Sequence, residues 1–292
     1  MGYEDLQVTP PSLSPVFVAD PASLEALARR LEVEPRVALD TESNSFHAYR
    51  ERVCLIQVSV PGEDFVVDPL AVDVAPLGAL LSAGREVVLH GADYDVRCLK
   101  REWGWSLGSL FDTMVAARRL GAAELGLAAL VRSHFGVRLE KAHQRADWGR
   151  RPLAPELVRY AALDTHFLLG LRLRLAAELE ARGLGDEATR DFGRIAAVAP
   201  HERTFDPEGW RRLRGARQLD PAAARRLRAL WILREERARE ADRPPFKVLA
   251  EDAMVEAARR APATRAELAR VPGVTPRVLE RMGDALLEAL RA

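Results

Sequence analysis

The sequence changes its pattern near residue 120, and this change limits the folds that the chain can adopt. Between residues 16 and 120, short apolar runs typical of strands alternate with amphipathic segments typical of helices. From Asp112 onward the pattern is helical almost throughout. The predicted strands cover residues 36–42, 53–60, 65–67 and 87–90. Three strands in a row, followed by a helix and a further strand, predict an α/β fold whose mixed sheet begins with an antiparallel meander.

At 292 residues the chain is long enough for two domains. Turn and breaker residues after Gly183, and again between Ala199 and Pro207, predict a linker. We therefore expect a first domain at residues 1–200, with its core at about 16–182 and then the linker. Residues 205–292 are expected to form a small all-α domain, since Asp220, Thr264 and Thr275 each stand where a helix N-cap is predicted.

Composition excludes several classes of protein. Apolar residues make up 48% of the chain and charged residues 29%, which is typical of a folded globular protein and not of a disordered one. No apolar run is long enough to span a bilayer, so no membrane association is expected. The N-terminus lacks the basic and apolar regions of a signal peptide, and two cysteines fit a reducing compartment. We therefore expect a cytoplasmic protein.

The net charge of zero hides an asymmetry along the chain. Residues 1–200 carry 23 basic and 28 acidic side chains, whereas residues 201–292 carry 20 basic and 15 acidic ones. An acidic first part and a basic second part suit a metal-binding catalytic domain joined to a module that binds a polyanion. A chance imbalance of charge explains the same numbers equally well.

Two carboxylates stand at the end of the first strong strand pattern, Val37 to Glu42. Because successive strand side chains alternate between faces, Asp40 and Glu42 are predicted to share one face. Two adjacent acids repel each other, and a divalent cation with oxygen ligands, Mg²⁺ or Mn²⁺, is the usual solution. A solvated strand edge is the alternative.

A second candidate lies where the strand at 87–90 turns through Gly91 into a helix. Asp93 and Asp95 fall in the first turn of that helix, where acids favour the helix dipole. We assign the helix cap to Asp93, keep Asp95 as the candidate metal ligand, and interpret His90 as a core histidine.

A third candidate lies on a helix, where Tyr160 and Asp164 are four residues apart and share a face. A core-facing tyrosine beside a surface acid would look the same. The preceding segment predicts a loop whose cations, amide and indole suit contacts with phosphates and bases. Its candidate nucleic-acid contacts are Lys141, Gln144, Arg145, Trp148 and Arg151. A solvated loop with one anchoring tryptophan is the alternative.

Taken together, Asp40, Glu42, Asp95, Tyr160 and Asp164 resemble the signature of the DEDD exonuclease superfamily, in the subclass that carries tyrosine. Arg159 stands where the histidine subclass has its histidine, which excludes that subclass. The segments from Gln144 to Leu153 and from Leu55 to Gln57 resemble the ribonuclease D family in particular. The tail resembles the HRDC domain, a helical nucleic-acid-binding module.

This resemblance implies an RNase H-like fold and a 3′–5′ exoribonuclease that releases nucleoside 5′-monophosphates, with precursor tRNA 3′ ends as the expected RNA. It also implies two divalent metal ions, Mg²⁺ or Mn²⁺, held by Asp40, Glu42, Asp95 and Asp164. Asp40 would bridge both ions, Glu42 and Asp164 would bind the ion on the nucleophile side, and Asp95 would act through the second. Tyr160 would orient the attacking water, because a phenol with a pKa near 10 is a poor base at neutral pH.

Three points remain open at this stage. A DNA exonuclease of the same superfamily would carry the same acids, and a catalytically inactive RNA-binding protein could keep the fold. The enterobacterial ribonuclease D type resembles an exonuclease domain with two HRDC modules, whereas this chain has room for one. The turn from Val271 to Pro276 could offer backbone N–H groups to phosphate or simply join two helices. The family resemblance favours a monomer.

Overall fold

The computed structural model describes residues 14–82, 84–140, 142–200 and 204–292. These residues form two compact units. The first unit contains residues 14–44 and 52–200. The second unit contains Ser45–Glu51 together with residues 204–292. A short segment that is distant in sequence from the tail therefore belongs to the same unit as the tail.

The first unit is built on a six-stranded mixed sheet. Its strands are β1 (Val16–Val18), β2 (Arg36–Ser43), β3 (Val53–Val60), β4 (Glu63–Val67), β5 (Glu86–Leu89) and β6 (Ser109–Asp112). They are arranged in the order β1-β4-β3-β2-β5-β6. The β2–β3 and β3–β4 pairs are antiparallel, and the other three pairs are parallel. The predicted mixed sheet with its antiparallel meander is confirmed. Strands β1 and β6 were not predicted, because strands this short show little periodic pattern.

Helices cover the sheet. They are α1 (Pro21–Glu32), α2 (Ala75–Ser82), α3 (Asp93–Trp103), α4 (Thr113–Arg119), α5 (Leu127–Phe135), α6 (Pro155–His166), α7 (Leu168–Ala181) and α8 (Gly185–Ala196). All eight residues of β3 are buried, as expected for a strand that is covered on both faces. Helix α6 packs on β2, β3 and β4, and α7 packs on β2 and β5. Helices α6 and α7 are separated by one residue, Phe167.

The linker predicted after Gly183 is wrong for residues 185–196. Gly183 takes the left-handed conformation, with φ of 66°, and the chain then forms α8. Ala188 and Phe192 of this helix are buried in the apolar core of the first unit. The Phe192 ring centroid lies 4.8 Å from that of Phe111 on β6. Burial of these side chains, and not the turn signals before them, decides the structure of this segment, so the first unit continues beyond residue 182.

The second unit is all-helical apart from its loops, as predicted. It contains α9 (Pro221–Glu240), α10 (Pro245–Val248), α11 (Glu251–Arg260), α12 (Arg265–Leu268) and α13 (Pro276–Ala289). The predicted N-caps at Asp220, Thr264 and Thr275 each accept a backbone N–H with the side chain. Buried apolar side chains of α9, α11, α12 and α13 form a core separate from that of the first unit. No described helix combines the length and apolar character that crossing a bilayer requires.

The segment Ser45–Glu51 packs within the second unit. The Phe46 ring meets the Phe246 ring edge-on, with centroids 6.4 Å apart. The Tyr49 hydroxyl donates to Glu235 Oε1 at 2.6 Å, and the Tyr49 backbone N–H donates to Asp242 Oδ1 at 3.1 Å. These contacts explain why the segment belongs with the tail.

Candidate active site

Strand β2 carries the first two candidate acids. Asp40 lies opposite Gln57 of β3 in the antiparallel ladder, and Glu42 lies opposite Leu55. The two acids are separated by one residue, so they share one face of the strand, as the sequence predicted. The ladder shifts its register between Glu42 and Ser43, which ends the regular pairing just after the second acid.

The first turn of α3 carries Asp95, which is 5% exposed. The Thr41 hydroxyl donates to Asp95 Oδ1 at 2.5 Å and so ties the helix to β2 between the two strand acids. The assignment of the helix cap to Asp93 is wrong. The N-cap residue is Ala92, and Asp93 pairs instead with Arg97 one turn later.

The start of α3 is held by Asp112, a residue that the sequence did not single out. Its carboxylate accepts the backbone N–H groups of Gly91 and Ala92 at 3.0 and 2.8 Å. It also accepts those of Met114 and Val115 at 2.8 and 3.1 Å, which caps α4. Asp112 is 1% exposed. One buried carboxylate therefore fixes the turn that leads to Asp95. The parallel pairing of β5 with β6 brings Asp112 beside this turn.

Helix α6 carries Tyr160 and Asp164. Between them Ala161 and Ala162 are fully buried, so the helix backbone lies close to the sheet. The next turn is joined to β3 by a hydrogen bond of 2.7 Å between the hydroxyls of Thr165 and Ser59. This contact holds the turn of α6 that carries Asp164 against β3.

Asp40, Glu42, Asp95 and Asp164 form what we call the carboxylate cluster. Burial raises the pKa of Asp40 well above its usual range, and the charges of Asp95, Asp164 and Glu42 raise it further. Burial, assisted by the charges of Asp164 and Asp95, raises the pKa of Glu42 to about 8. Burial also raises the pKa of Asp164 to about 7, with the Asp95 charge adding to the effect. The cluster is thus a group of half-buried and buried acids whose charged forms a cation would stabilise.

The pKa of Asp95 rises less, to about 6. Burial raises it, and the hydrogen bond from Thr41 opposes that effect by stabilising the carboxylate. Asp95 is therefore the cluster member whose charged form the protein itself supports most.

Three members of the cluster open onto a cavity of about 610 Å³. Its lining residues are Asp40, Glu42, His90, Glu124, Leu125, Gly126, Leu127, Ala128, Ala129, Leu139, Glu140, Gln144, Tyr160 and Asp164. Asp95 is not among the lining residues, and it is 5% exposed. This volume is within the range of small-ligand sites and can take a terminal nucleotide.

The acids were tested for their fit to metal ions. Among the described residues, no three His, Cys, Asp or Glu side chains are arranged to hold one ion by themselves. Mg²⁺ is commonly bound by one or two carboxylates, with waters and substrate phosphates completing its shell. The donor set of the cluster, four carboxylates whose pKa values burial raises, fits sites of that kind.

Tyr160 lies at the edge of the cluster, between two aromatic rings. The His143 ring meets it edge-on at 5.2 Å, and the Trp148 indole stacks on it at 6.3 Å between centroids. Burial raises the pKa of Tyr160 to about 12, and the charges of Asp164, Glu42 and Asp40 act in the same direction. The phenol stays protonated at neutral pH and can only donate or accept a hydrogen bond there.

The predicted nucleic-acid contacts separate into two groups. Gln144 lines the cavity, and Arg145 is exposed. Trp148 is 1% exposed and packs in an apolar cluster, so its indole has no face free for base stacking. Arg151 makes two hydrogen bonds to Asp68, at 2.5 and 2.7 Å, and others to the carbonyl oxygens of Cys54 and Trp148. Trp148 and Arg151 therefore fit the alternative interpretation, in which the tryptophan anchors the loop and neither residue contacts nucleic acid. Lys141 lies outside the described residues.

Two further side chains beside the site were not predicted as site residues from the sequence. His90, interpreted as a core residue, lines the cavity, and its Nδ1 lies 2.9 Å from the Thr113 hydroxyl. That hydroxyl donates to the Leu89 carbonyl oxygen, so His90 Nδ1 must be the donor in this pair. Gln57 is fully buried opposite Asp40, and its amide atoms have no hydrogen-bond partner among the described residues. Only the strand register reveals its place.

Comparison with known proteins agrees with this geometry. Residues 15–180 match the family model for a 3′-5′ exonuclease, and residues 223–290 match that of the HRDC domain. Ribonuclease D of Gluconacetobacter diazotrophicus is 35% identical over 291 residues, which cover 95% of this chain and 72% of that protein.

Solved structures give the same result. The catalytic core of RRP6 from Trypanosoma brucei superposes with a TM-score of 0.85 at 29% identity, covering 96% of this chain and 79% of that one. Escherichia coli RNase D superposes with a TM-score of 0.73 at 27% identity, covering 96% and 75%. The chain belongs to the ribonuclease D family of 3′–5′ exoribonucleases, and the fold and enzyme class that the sequence predicted are confirmed.

Proposed function

We propose that this ribonuclease D family member removes nucleotides from RNA 3′ ends at the carboxylate cluster and releases nucleoside 5′-monophosphates. The observation that carries the proposal is the cluster of four acids from β2, α3 and α6, three of which line one nucleotide-sized cavity. Each of the four has a raised pKa because of its burial, and three also because of the other acids. Such an arrangement is costly for stability and is typical of a functional site.

We propose that Asp40, Glu42, Asp95 and Asp164 hold two divalent cations, Mg²⁺ or Mn²⁺. Bound there, the ions would acidify the attacking water and stabilise the charge on the leaving oxygen. Asp40 is the member whose pKa all three other acids raise, and it would hold the cations together with them. Asp95 does not line the cavity, and this favours an indirect role.

Tyr160 is assigned to orientation. Its phenol keeps its proton because burial and the neighbouring acids raise its pKa to about 12. It can therefore donate a hydrogen bond, or accept one from a water, but it cannot take a proton at neutral pH. The stacked Trp148 and the edge-on His143 fix the ring, so the hydroxyl is held at the cavity wall.

RNA contacts near the cavity are assigned to Gln144 and Arg145. Gln144 lies in the cavity wall and can donate to phosphate or to a base edge. Arg145 is exposed on the same loop, and Lys141 remains a proposed contact from sequence alone.

The second unit, residues 204–292 with Ser45–Glu51, is proposed as the HRDC domain that adds affinity for RNA. It has a cavity of about 330 Å³ whose lining includes Arg243, Lys247, Arg277 and Arg281. The one acid in that lining is Glu240, which already pairs with Arg237 at 2.7 Å. Four cations on one concave surface suit a phosphate backbone.

Precursor tRNA 3′ ends are the proposed substrate, and a monomer is the proposed state. The alternative is a DNA exonuclease of the same superfamily, which would carry the same four acids. Parallel digestion of RNA and DNA strands of one sequence separates the two.

The proposal is tested with a 5′-labelled precursor tRNA that carries a single-stranded 3′ trailer. With Mg²⁺ or Mn²⁺ the wild-type chain should produce a ladder that shortens from the 3′ end. The Asp40→Asn variant and an EDTA control should produce none. Asp93→Asn is the matched control, because Asp93 lies on the same helix as Asp95 but pairs with Arg97 at the surface. Full activity of Asp40→Asn would contradict the site assignment. An RNA trailer left intact while DNA is shortened would contradict the proposal that RNA is the substrate.

A further inference from the structure

Arg151 uses its hydrogen-bond donors within the protein. Its Nε and Nη2 atoms donate to the two Asp68 carboxylate oxygens at 2.5 and 2.7 Å. Nη2 also donates to the Cys54 carbonyl oxygen at 2.9 Å, and Nη1 donates to those of Trp148 and Arg150 at 2.8 and 2.9 Å. A guanidinium has five N–H groups. Five bonds to protein oxygens match that number, so an RNA phosphate would have to displace one of them.

Asp68 anchors this arginine to the sheet. It follows directly after β4 and is 2% exposed. Its backbone N–H donates to the Val18 carbonyl oxygen of β1 at 2.8 Å, and its Oδ1 also accepts the Leu70 N–H at 3.0 Å. The carboxylate is therefore held by its own strand end as well as by Arg151. A two-point pair between a carboxylate and a guanidinium fixes the angle between them as well as the distance.

The residue that this anchor holds in the loop is Trp148. Its backbone carbonyl oxygen accepts from Arg151, and its indole is 1% exposed in the apolar cluster that contains Leu55 and Ala161. The indole N–H has no hydrogen-bond partner among the described residues. Apolar packing and the bond to the carbonyl oxygen therefore keep Trp148 in place.

Trp148 in turn supports Tyr160. The indole and phenol ring planes lie within 21° of each other, with centroids 6.3 Å apart, whereas the His143 ring meets the phenol at 79°. A shift of Trp148 would remove the flat support of the phenol, and the hydroxyl would move at the cavity wall. A continuous series of contacts thus leads from Asp68 through Arg151 and Trp148 to Tyr160.

We propose that Arg151, held by Asp68, is a positioning residue for Tyr160: it fixes the main chain at Trp148, and the indole sets where the phenol meets the attacking water. This inference rests on the role proposed for Tyr160. Arg151 contacts neither RNA nor cation in this account. A lysine would carry the same charge, but its single ammonium group cannot reproduce the planar two-point pair.

The test compares Arg151→Lys with Arg150→Lys, the same change at the preceding, exposed residue. The turnover number and KM are measured on 5′-labelled RNA, at a temperature where circular dichroism shows that every variant is folded. Because a small displacement of a positioned group is costly, the turnover number of Arg151→Lys should fall about tenfold, with KM within about twofold. Asp68→Asn should show the same pattern, and Arg150→Lys should match the wild type.

A double-mutant cycle with Tyr160→Phe separates positioning from a merely structural role. If Arg151 acts through the phenol, adding Arg151→Lys to the Tyr160→Phe chain should lower the turnover number by less than about twofold. Losses that multiply in the double variant would overturn the inference. So would a lower melting temperature of Arg151→Lys with a wild-type turnover number. A raised KM with a shallower salt dependence would also overturn it, because it would indicate a direct phosphate contact.

Failure of this inference can be told from failure of the proposed function. Wild-type turnover in Arg151→Lys, in a chain that shortens RNA and that Tyr160→Phe impairs, would overturn the inference alone. Wild-type turnover in Tyr160→Phe would overturn the role of the phenol and this inference with it. A wild-type chain that leaves RNA intact would overturn the proposed function as well.

Discussion

Replacing Asp112 by alanine should destabilise the first unit far more than removing an ordinary helix cap. The Asp112 carboxylate accepts four backbone N–H groups at 2.8–3.1 Å and is 1% exposed. Two of these bonds form the N-cap of α4, and a cap of this kind is worth about 0.5–2 kcal/mol. The other two satisfy Gly91 and Ala92, and an unsatisfied buried donor costs about 1–3 kcal/mol.

The variant should therefore lose about 2.5–8 kcal/mol of unfolding free energy. For a unit of this size, about 2–4 °C of melting temperature is lost for each kcal/mol, so a fall of roughly 5–30 °C is expected. The assay is urea and thermal unfolding followed by circular dichroism in EDTA. Asp220→Ala is the control, because that exposed cap accepts only Ala222 and Ala223, both at 2.8 Å, and should cost about 1 kcal/mol. A loss in Asp112→Ala no larger than in the control would refute the reasoning.

Three further predictions follow from the site and the second unit. In EDTA, the free energy of unfolding should fall as the pH rises from about 4 to about 8, because folding raises the pKa values of Glu42 and Asp164 to about 8 and 7 and both groups lose their protons through that range. Mn²⁺ replaces those protons, so the rise in melting temperature that it causes should be larger at pH 8 than at pH 5.5. The reverse order would contradict the assignment. Trp148→Ala should lower the free energy of unfolding in urea by about 3–5 kcal/mol, because the indole is fully buried. The RNA dissociation constant of the folded fraction should stay within about twofold. A large loss of RNA affinity at unchanged stability would support the interpretation that the indole stacks on a base. The double variant Arg277→Gln and Arg281→Gln changes the basic cavity of the second unit and should weaken binding of a long RNA. In filter binding, the slope of log affinity against log salt should become shallower by about 2. An unchanged slope would exclude this cavity as a phosphate site.

The predictable part of the site is the part that depends on local spacing. Asp40 and Glu42 share a strand face because strand side chains alternate, and Tyr160 and Asp164 share a helix face because they are four residues apart. The antiparallel meander follows from three strand patterns in a row, and the helix caps at Asp220 and Thr275 follow from side-chain chemistry. None of these features needs knowledge of distant contacts.

The remainder depends on contacts between segments that are far apart in sequence. Asp112 can hold the start of α3 because β6 pairs with β5, and Gln57 lies opposite Asp40 because of the β2–β3 register. Trp148 lies in a segment rich in polar and charged residues, yet its indole is buried in the apolar cluster that contains Ala161. Composition and spacing carry no signal for register or for the burial of one side chain in a polar segment.

The central claim is that the four carboxylates hold two divalent cations. Anomalous diffraction from crystals soaked in Mn²⁺ with a phosphorothioate RNA end tests it most directly. We expect two peaks beside Asp40, roughly 3.5–4 Å apart, with both lost in Asp40→Asn. Peaks elsewhere, or two peaks that persist unchanged in Asp40→Asn, would contradict it.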